Sequence, residues 1–355
     1  MAVYDLDRFS ILVVEDNTYI RNILMRLLRS MRVGTVVQAA SGADVVEMLK
    51  VDPGAVVPTK HVDIILSDLV MSPLNGLLLL RWVRTAKESP NRFIPFVMVS
   101  GAADIDYVNA ARDLGVTEFL AKPFSVQSVY KRLMRVIDFP RQFVLTKSYF
   151  GPDRRRRRGS PPDKERRKLT DEDIKIVYSS DKIAEPKDDR GVWNFRLPNR
   201  LKDLAGGAGA AGSGELPMEL LAQAEEELER ASMDFTDWAV DYLKQLSGLC
   251  DQALRQPAGR RRQLDEINLL AHELRGQGGT FGYPLVTVIA KMLFDATGAG
   301  CPEDDNAIEV VKAHIDALRA VIRDKVAGDG GEVGNELMTS LQAAIDRRNK
   351  ELVKK

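Results

Sequence analysis

The sequence is poor in the residues that mark several function classes. Cysteine occurs only at Cys250 and Cys301, far apart and outside any Cys-x-x-Cys pattern. That spacing indicates neither a disulfide framework nor a cysteine zinc site, and a reducing compartment is the simpler expectation. Histidine occurs only at positions 61, 272 and 314. Charge of one sign is missing altogether, because 51 basic residues balance 51 acidic ones. A chain with that balance does not coat nucleic acid or an anionic membrane along its whole length. Long apolar runs are absent too: the richest cluster, Leu77 to Val83, is broken by Arg81, and Met1 to Ser10 carries acidic residues without an apolar stretch. The expectation is a cytoplasmic protein with no signal peptide and no membrane insertion. No nucleotide-binding motif of a kinase catalytic domain is found either.

What is present fits a globular chain, with 45% apolar and 29% charged residues. A length of 355 residues suggests two or three domains. From Phe9 to about Asp138, short β-branched runs alternate with segments of helical period. The strands are expected at Ile11 to Val14, Thr35 to Gln38, Val62 to Leu66, Phe93 to Ser100 and Thr117 to Leu120. Helices are expected at Thr18 to Met31, Ala43 to Leu49, Leu77 to Lys87, Asp104 to Leu114 and Val126 to Ile137. Five strands each followed by a helix describe an α/β, doubly wound, five-stranded parallel sheet.

Residues 139 to 214 read as a basic, Pro/Gly-rich flexible linker, with Arg154 to Arg158 as a pure Arg run and a Gly/Ala-rich end from Ala205 to Gly214. A short ordered element around Val192 to Leu197, holding Trp193 and Phe195, is open. The aromatic lead-in of Phe143, Tyr149 and Phe150 is expected to pack against the first domain. Beyond Glu215, apolar residues recur at spacings of three and four near Pro217 to Arg230, Phe235 to Leu254, Arg260 to Gly276, Pro284 to Ala296 and Pro302 to Val326. An all-α helical bundle over 215 to 326 follows, then a charged helix or tail over 327 to 355. Pro217, Pro284 and Pro302 fall where helices begin.

In a parallel doubly wound sheet, Glu15 and Asp16, Asp68, Ser100 and Lys122 all fall at the carboxyl ends of strands, where such folds place their sites. Three carboxylates held together need a cation, and an oxygen-only site suits Mg2+. An Asp can itself accept a phosphoryl group, and a metal, a hydroxyl and an ammonium would offset the charge developing on the transferred oxygens. Asp68 is the expected nucleophile because it stands alone at its strand end. The adjacent pair is better suited to metal.

The strings Ile11-Leu-Val-Val-Glu-Asp-Asn17, Asp68-Leu-Val-Met-Ser-Pro-Leu-Asn-Gly76, Val97-Met-Val-Ser100-Gly and Glu118-Phe-Leu-Ala-Lys122-Pro-Phe124 resemble the receiver domain of bacterial response regulators. The likeness covers roughly residues 9 to 138. It implies a flavodoxin-like fold that catalyses its own phosphorylation and dephosphorylation. On it, Asp68 is the phosphorylated residue, and Glu15, Asp16, Asp68 and the Val70 carbonyl hold Mg2+. Ser100 takes the hydroxyl role, Phe119 is the switch aromatic, and Lys122 precedes a proline bond that is usually cis. Ser72 departs from the family's usual Pro, and Val51 to His61 looks like an enlarged loop.

A second pattern is Leu269-Leu-Ala-His272-Glu-Leu-Arg275-Gly276-Gln-Gly278-Gly279-Thr-Phe-Gly282. Leu264, Ile267, Leu270 and Leu274 mark a buried stripe, His272 falls off it, and the ring is expected to face solvent. Arg275 lies on nearly the same face and could draw a phosphoryl group to the imidazole. Gly276 removes bulk beside the ring. If the helix runs to Gly279, three glycines cost about 1 kcal/mol each relative to Ala, a penalty that suggests close approach of another surface. Equally, Gly276 to Gly279 can be read as a helix end and loop. The string resembles the histidine-containing phosphotransfer domain, which implies that His272 carries phosphate on Nε2 and that Gly276 and Gly278 face a docking partner. His61 and His314 read as surface or packing residues.

Between Arg154 and Lys168 nine basic residues face two acidic ones, so the segment is about +7. With no helix-turn-helix or aromatic-interleaved basic surface beside it, a solvated linker or docking on the protein's own acidic groups is preferred to nucleic-acid binding. The combined expectation is a phosphorelay protein whose partners are a sensor histidine kinase and other receiver or phosphotransfer proteins. The alternative is a phosphorylation-switched interaction protein in which His272 is inert.

Overall fold

The structure is a computed structural model that describes residues 2–50, 61–101, 105–154, 174–180, 191–209 and 212–352. It divides into two compact units, one of Met1–Ala121 with Val126–Glu227 and one of Leu228–Lys355 with Lys122–Ser125.

After a two-residue strand β1 (Ala2–Val3), the first unit builds β2 (Ser10–Val14), β3 (Thr35–Ala39), β4 (Ile64–Asp68), β5 (Phe96–Gly101) and β6 (Glu118–Lys122). These five make a parallel sheet in the order β3-β2-β4-β5-β6. Every residue of β4 is buried, as are four of five in β2. Helices on both faces demand such near-continuous Ile, Leu and Val runs in the central strands. Those helices are α1 (Thr18–Ser30), α2 (Gly42–Leu49), α3 (Gly76–Thr85), α4 (Ile105–Asp113) and α5 (Val126–Asp138). The three that follow β2, β3 and β4 each start from a side-chain cap. Asn17 accepts from Tyr19 and Ile20, Ser41 shares a capping box with Asp44, and Asn75 accepts from Leu78. The α/β expectation therefore stands, with strand ends shifted by at most three residues.

The stretch expected as flexible linker differs from that reading. β7 (Phe143–Leu145), β8 (Phe150–Pro152), β9 (Ile174–Val177) and β10 (Val192–Phe195) form a second sheet in the order β8-β7-β10-β9. A short helix α6 (Arg200–Leu204) follows, and β11 (Gly214–Glu215) pairs in parallel with β1. The physical reason is aromatic: Phe143, Phe150 and Phe195 enclose Phe93, which precedes β5, each ring centroid 5.1 Å from that of Phe93. Strands of three or four residues show no period, but four rings bury enough apolar area to fix them. The fully buried Arg84 ties this sheet down from below. Its Nε donates to Gly115 O at 3.0 Å, its Nη1 to Arg92 O and Ile94 O at 2.7 and 2.8 Å, and its guanidinium lies 5.1 Å from the Phe143 ring. Burial pushes Arg84 down to about 9, so it stays charged at neutral pH. Arg154, the first residue of the Arg run, pairs with Asp113 at 3.1 Å and lies over Tyr149, so this one residue docks on an acidic group of the protein itself. Arg155 to Arg158, and Val51 to Lys60 of the enlarged loop, lie outside the described residues.

The second unit is helical. α7 (Met218–Arg255) runs unbroken where two segments were expected, since its sequence has no proline and a single glycine, Gly248. α8 (Arg260–Gln277) passes into a 3-10 turn at Gly278–Phe281, followed by α9 (Pro284–Ala296), α10 (Asp305–Arg323) and α11 (Gly331–Leu352). Pro284 opens α9 as expected, whereas Pro302 precedes a helix capped by Asp304, whose carboxylate accepts from Ala307 N at 2.8 Å. α8 packs on α9, α9 on α10 and α10 on α11. Among the described residues no helix is long and apolar enough to cross a membrane.

Candidate functional site

The sheet order reverses direction between β2 and β4, and the carboxyl ends of those strands flank that switch point. Val14 is level with Ser67, so Glu15 and Asp16 emerge beside Asp68. Their carboxylate oxygens lie within 4.8 Å of one another, with Glu15 and Asp68 buried and Asp16 half-buried. Asp68 pairs in register with Val99, which sets Ser100 one residue past it on the neighbouring strand. Lys122 is the buried last residue of β6, and its bond to Pro123 is cis, as is that of Ser72 to Pro73. Phe119 is partly buried against the core of the sheet, and Val70 lies two residues beyond Asp68.

Three carboxylates this close, two of them removed from water, repel unless a cation neutralises them. The all-oxygen donor set fits a hard divalent ion such as Mg2+.

Several residues that shape this pocket escaped the sequence reading. Arg21 Nη1 donates to the carbonyls of Glu15 and Asp16 at 2.6 and 3.3 Å and so clamps the acidic turn. A cation near a helix start opposes the macrodipole, and that anomaly was the available signal. Ser67 Oγ donates to Asp68 O at 2.9 Å. At Gly76, a Cβ would run into the Asp68 carbonyl and lie 2.9 Å from Met98 Sδ, so only glycine lets α3 begin there. Its signal was the Asn75-Gly76 pair ahead of an apolar run.

In the bundle, Leu264, Ile267 and Leu274 of the expected stripe are buried, whereas Leu270 is only half-buried and Ala271 takes the buried position beside it. His272 is half-buried where it was expected to face solvent, because its ring packs 5.5 Å from that of Phe294 on α9. Arg275 Nη2 lies 3.1 Å from His272 Nδ1, and its guanidinium is 4.5 Å from the Phe294 ring. Burial pushes the imidazole down to about 4, with the Arg275 charge adding to the shift, so it is neutral at pH 7.

The glycines divide in their roles. A Cβ on Gly278 would lie 2.7 Å from Val286 Cβ and from Tyr283 O, so Gly278 is needed for α8 to pass α9 and does not face a docking partner. Gly276 has no atom of residues 228–355 within 4 Å of such a Cβ. Gly282 takes a left-handed φ of +82° after the 3-10 turn. The helix-end reading therefore holds from Gly278 onward. His314 is buried, its Nδ1 bonded to Val310 O at 2.7 Å, and His61 bonds Asp63 at 2.8 Å.

Residues 11–134 match the family model described as the response regulator receiver domain. The chemotaxis protein CheY of Pseudomonas aeruginosa is 27% identical over 128 residues, which cover 36% of this chain and 95% of that protein. The sensor kinase CckA of Brucella abortus is 33% identical over 129 residues, 36% of this chain and 12% of that kinase. Among solved structures, the receiver domain of a sensor histidine kinase from Pseudomonas aeruginosa PAO1, described with a magnesium ion in its active-site cleft, is 26% identical. It covers 36% of this chain and 95% of its own, with a TM-score of 0.31.

Proposed function

From a chain whose N-terminal domain is a response-regulator receiver domain, we infer a phosphorelay protein that accepts phosphate on Asp68 and carries it on His272. The observation that supports the first half best is the cluster of Glu15, Asp16 and Asp68, with carboxylate oxygens within 4.8 Å, at the switch point of the sheet.

An Asp68 carboxylate oxygen attacks phosphorus of a phosphohistidine or small acyl-phosphate donor. The new O–P bond forms as the donor's P–N or P–O bond breaks, and the leaving group keeps the electron pair. Glu15, Asp16, Asp68 and the Val70 carbonyl would hold Mg2+, which supplies positive charge to the transferring oxygens. Ser100 donates its hydroxyl, and Lys122 its ammonium, to phosphoryl oxygens once the group sits on Asp68. Phe119 turns inward as Ser100 moves.

In the bundle, Arg275 donates to Nδ1 of the neutral His272, which puts the ring proton on Nε2; Arg275 must release Nδ1 and the proton move there before Nε2 offers its lone pair to phosphorus, and the freed guanidinium then offsets phosphoryl charge. Gly276 leaves room for an approaching receiver. Sensor histidine kinases and other receiver or phosphotransfer proteins are the partners of such a chain. A second reading is favoured by the partial burial of His272: phosphorylation of Asp68 exposes a binding surface and the imidazole takes no phosphate.

Incubation with acetyl phosphate, and separately with a sensor kinase and ATP, followed by phosphosite mapping, tests both. Label on Asp68 that appears on His272 in the presence of a second receiver supports the relay. Label confined to Asp68 under every condition leaves the interaction reading.

A further inference from the structure

Of the five helices on the receiver sheet, α4 is the least buried. Across Asp106–Asp113 only Ala111 is removed from water, whereas α1 and α5 bury six side chains each. A helix with so few buried contacts is the one that shifts most readily as a body. Its carboxyl end, at the amino edge of the sheet, is nevertheless gripped, and the grip comes from the second sheet.

Arg154, just past β8, places Nη1 3.1 Å from Asp113 Oδ1 and donates through Nη2 to the Asp113 carbonyl at 3.3 Å. A cation therefore sits on the last residue of α4, where the macrodipole favours it. Gly115, at a left-handed φ of +91°, meets Gly151 of β8 backbone to backbone. A Cβ on Gly115 would lie 3.0 Å from Phe150 O, and one on Gly151 2.7 Å from Gly115 Cα. Gly115 O accepts from Nε of the buried Arg84 at 3.0 Å, and the same guanidinium lies against Phe143 of the second sheet.

We propose that the second sheet is a clamp on α4 that restrains phosphorylation of Asp68 and is loosened by it. The inference rests on the reading that Ser100 moves toward a phosphoryl group on Asp68. α4 begins shortly after Ser100 in the chain, so a displaced hydroxyl draws on the near end of a nine-residue helix whose far end is held. To follow, the helix must strain the Gly115–Gly151 and Asp113–Arg154 contacts. Contacts that favour the undisplaced helix weaken phosphoryl binding, and phosphoryl binding weakens them by the same factor.

Beryllofluoride, a phosphoryl mimic that adds to a carboxylate beside Mg2+, tests the clamp on the full chain, with its affinity read by fluorine NMR. Gly151→Ala drives a methyl into Gly115 and should tighten beryllofluoride binding about fivefold or more. Arg154→Ala removes an exposed ion pair and should tighten it about twofold, while Arg154→Lys should bind as the parent does. Loss of a merely structural contact at the opposite edge of the sheet gives no gain in affinity, so the sign identifies a clamp. Amide hydrogen exchange at 113–117 and 143–152 should quicken about fivefold when the parent is saturated with beryllofluoride. Unaltered or weaker binding in Gly151→Ala overturns the proposal, as does exchange that beryllofluoride leaves unchanged. Should Gly151→Ala not fold, Arg154→Ala and the exchange measurement decide. A parent chain that binds no beryllofluoride and takes no label from acetyl phosphate at Asp68 sinks the phosphorylation reading itself, and the clamp with it.

Discussion

The acidic pocket and the His272 turn are both assigned phosphate chemistry, yet they are built in different ways. The pocket assembles from the ends of separate strands, so sheet register fixes its geometry: Val14 beside Ser67 and Asp68 beside Val99 bring four side chains to one edge. His272, Arg275 and Gly276 come from one helix, and only Phe294 on α9 adds a second element to the ring. A convergent site fails all at once when one strand end changes, whereas a helical site can lose a neighbour and keep its fold. The pocket is therefore the stricter arrangement, and substitutions there are expected to have the larger effects.

The largest effect belongs to Asp68. Asp68→Ala should abolish incorporation of phosphate from acetyl phosphate into the receiver, read as the disappearance of an acid-stable, base-labile adduct by mass spectrometry. Retained label at another residue would break the assignment of the nucleophile. Next comes Arg21→Ala, which releases the Glu15 and Asp16 carbonyls from their clamp. It should weaken the affinity for Mg2+ several-fold, measured by titration of intrinsic fluorescence, because charge-assisted bonds of this kind are worth about 1.5–3 kcal/mol. An unchanged Mg2+ affinity would show that sheet register alone holds the acidic turn.

How far each region could be read without coordinates follows the same contrast. Glu15, Asp16, Asp68, Ser100 and Lys122 were legible because short β-branched runs alternating with segments of helical period give strand ends, and strand ends give an edge. Arg21 and Gly76 were not, since each acts on a backbone carbonyl whose position only the folded turn defines. The second sheet was opaque for another reason. Its strands are three or four residues long, and long intervals separate β8 from β9 and β9 from β10, so Phe143, Phe150 and Phe195 signal nothing until they meet around Phe93. Only the aromatic lead-in and the Trp193-containing segment hinted at it.

Gly278 and Gly276 sharpen the helical side of the comparison. Gly278→Ala forces a methyl to within 2.7 Å of Val286, and overpacking of this kind costs about 1–3 kcal/mol. Gly276→Ala meets no atom of residues 228–355 and gains up to about 1 kcal/mol of helix propensity. Urea unfolding followed by Trp238 fluorescence, with Trp82→Phe and Trp193→Phe to silence the other unit, should give opposite signs for the two. Phosphotransfer to a separate receiver should be slower in Gly276→Ala despite the gain in stability. Equal signs would mean that both glycines serve the same packing.

The most gradual effect is a pH slope in the bundle. His314 is 1% exposed, and burial pushes its pKa below the ordinary histidine value; His272 is held down at about 4, chiefly by burial. In the unfolded chain both take up a proton near pH 6.5. As pH falls below that value the unfolded state therefore binds more protons than the folded one, and stability declines until the folded pKa values are passed. Each histidine contributes at most about 1.4 kcal/mol per pH unit to that slope. Bundle stability, followed with the same Trp238 probe, should be flat from pH 8 to 7 and fall between about 6.5 and 4. His314→Gln and His272→Gln should each make the decline shallower, and the double variant shallowest, since glutamine does not titrate. A decline that survives both substitutions would place the acid sensitivity in the carboxylates of the bundle and leave the neutral state of His272 without support.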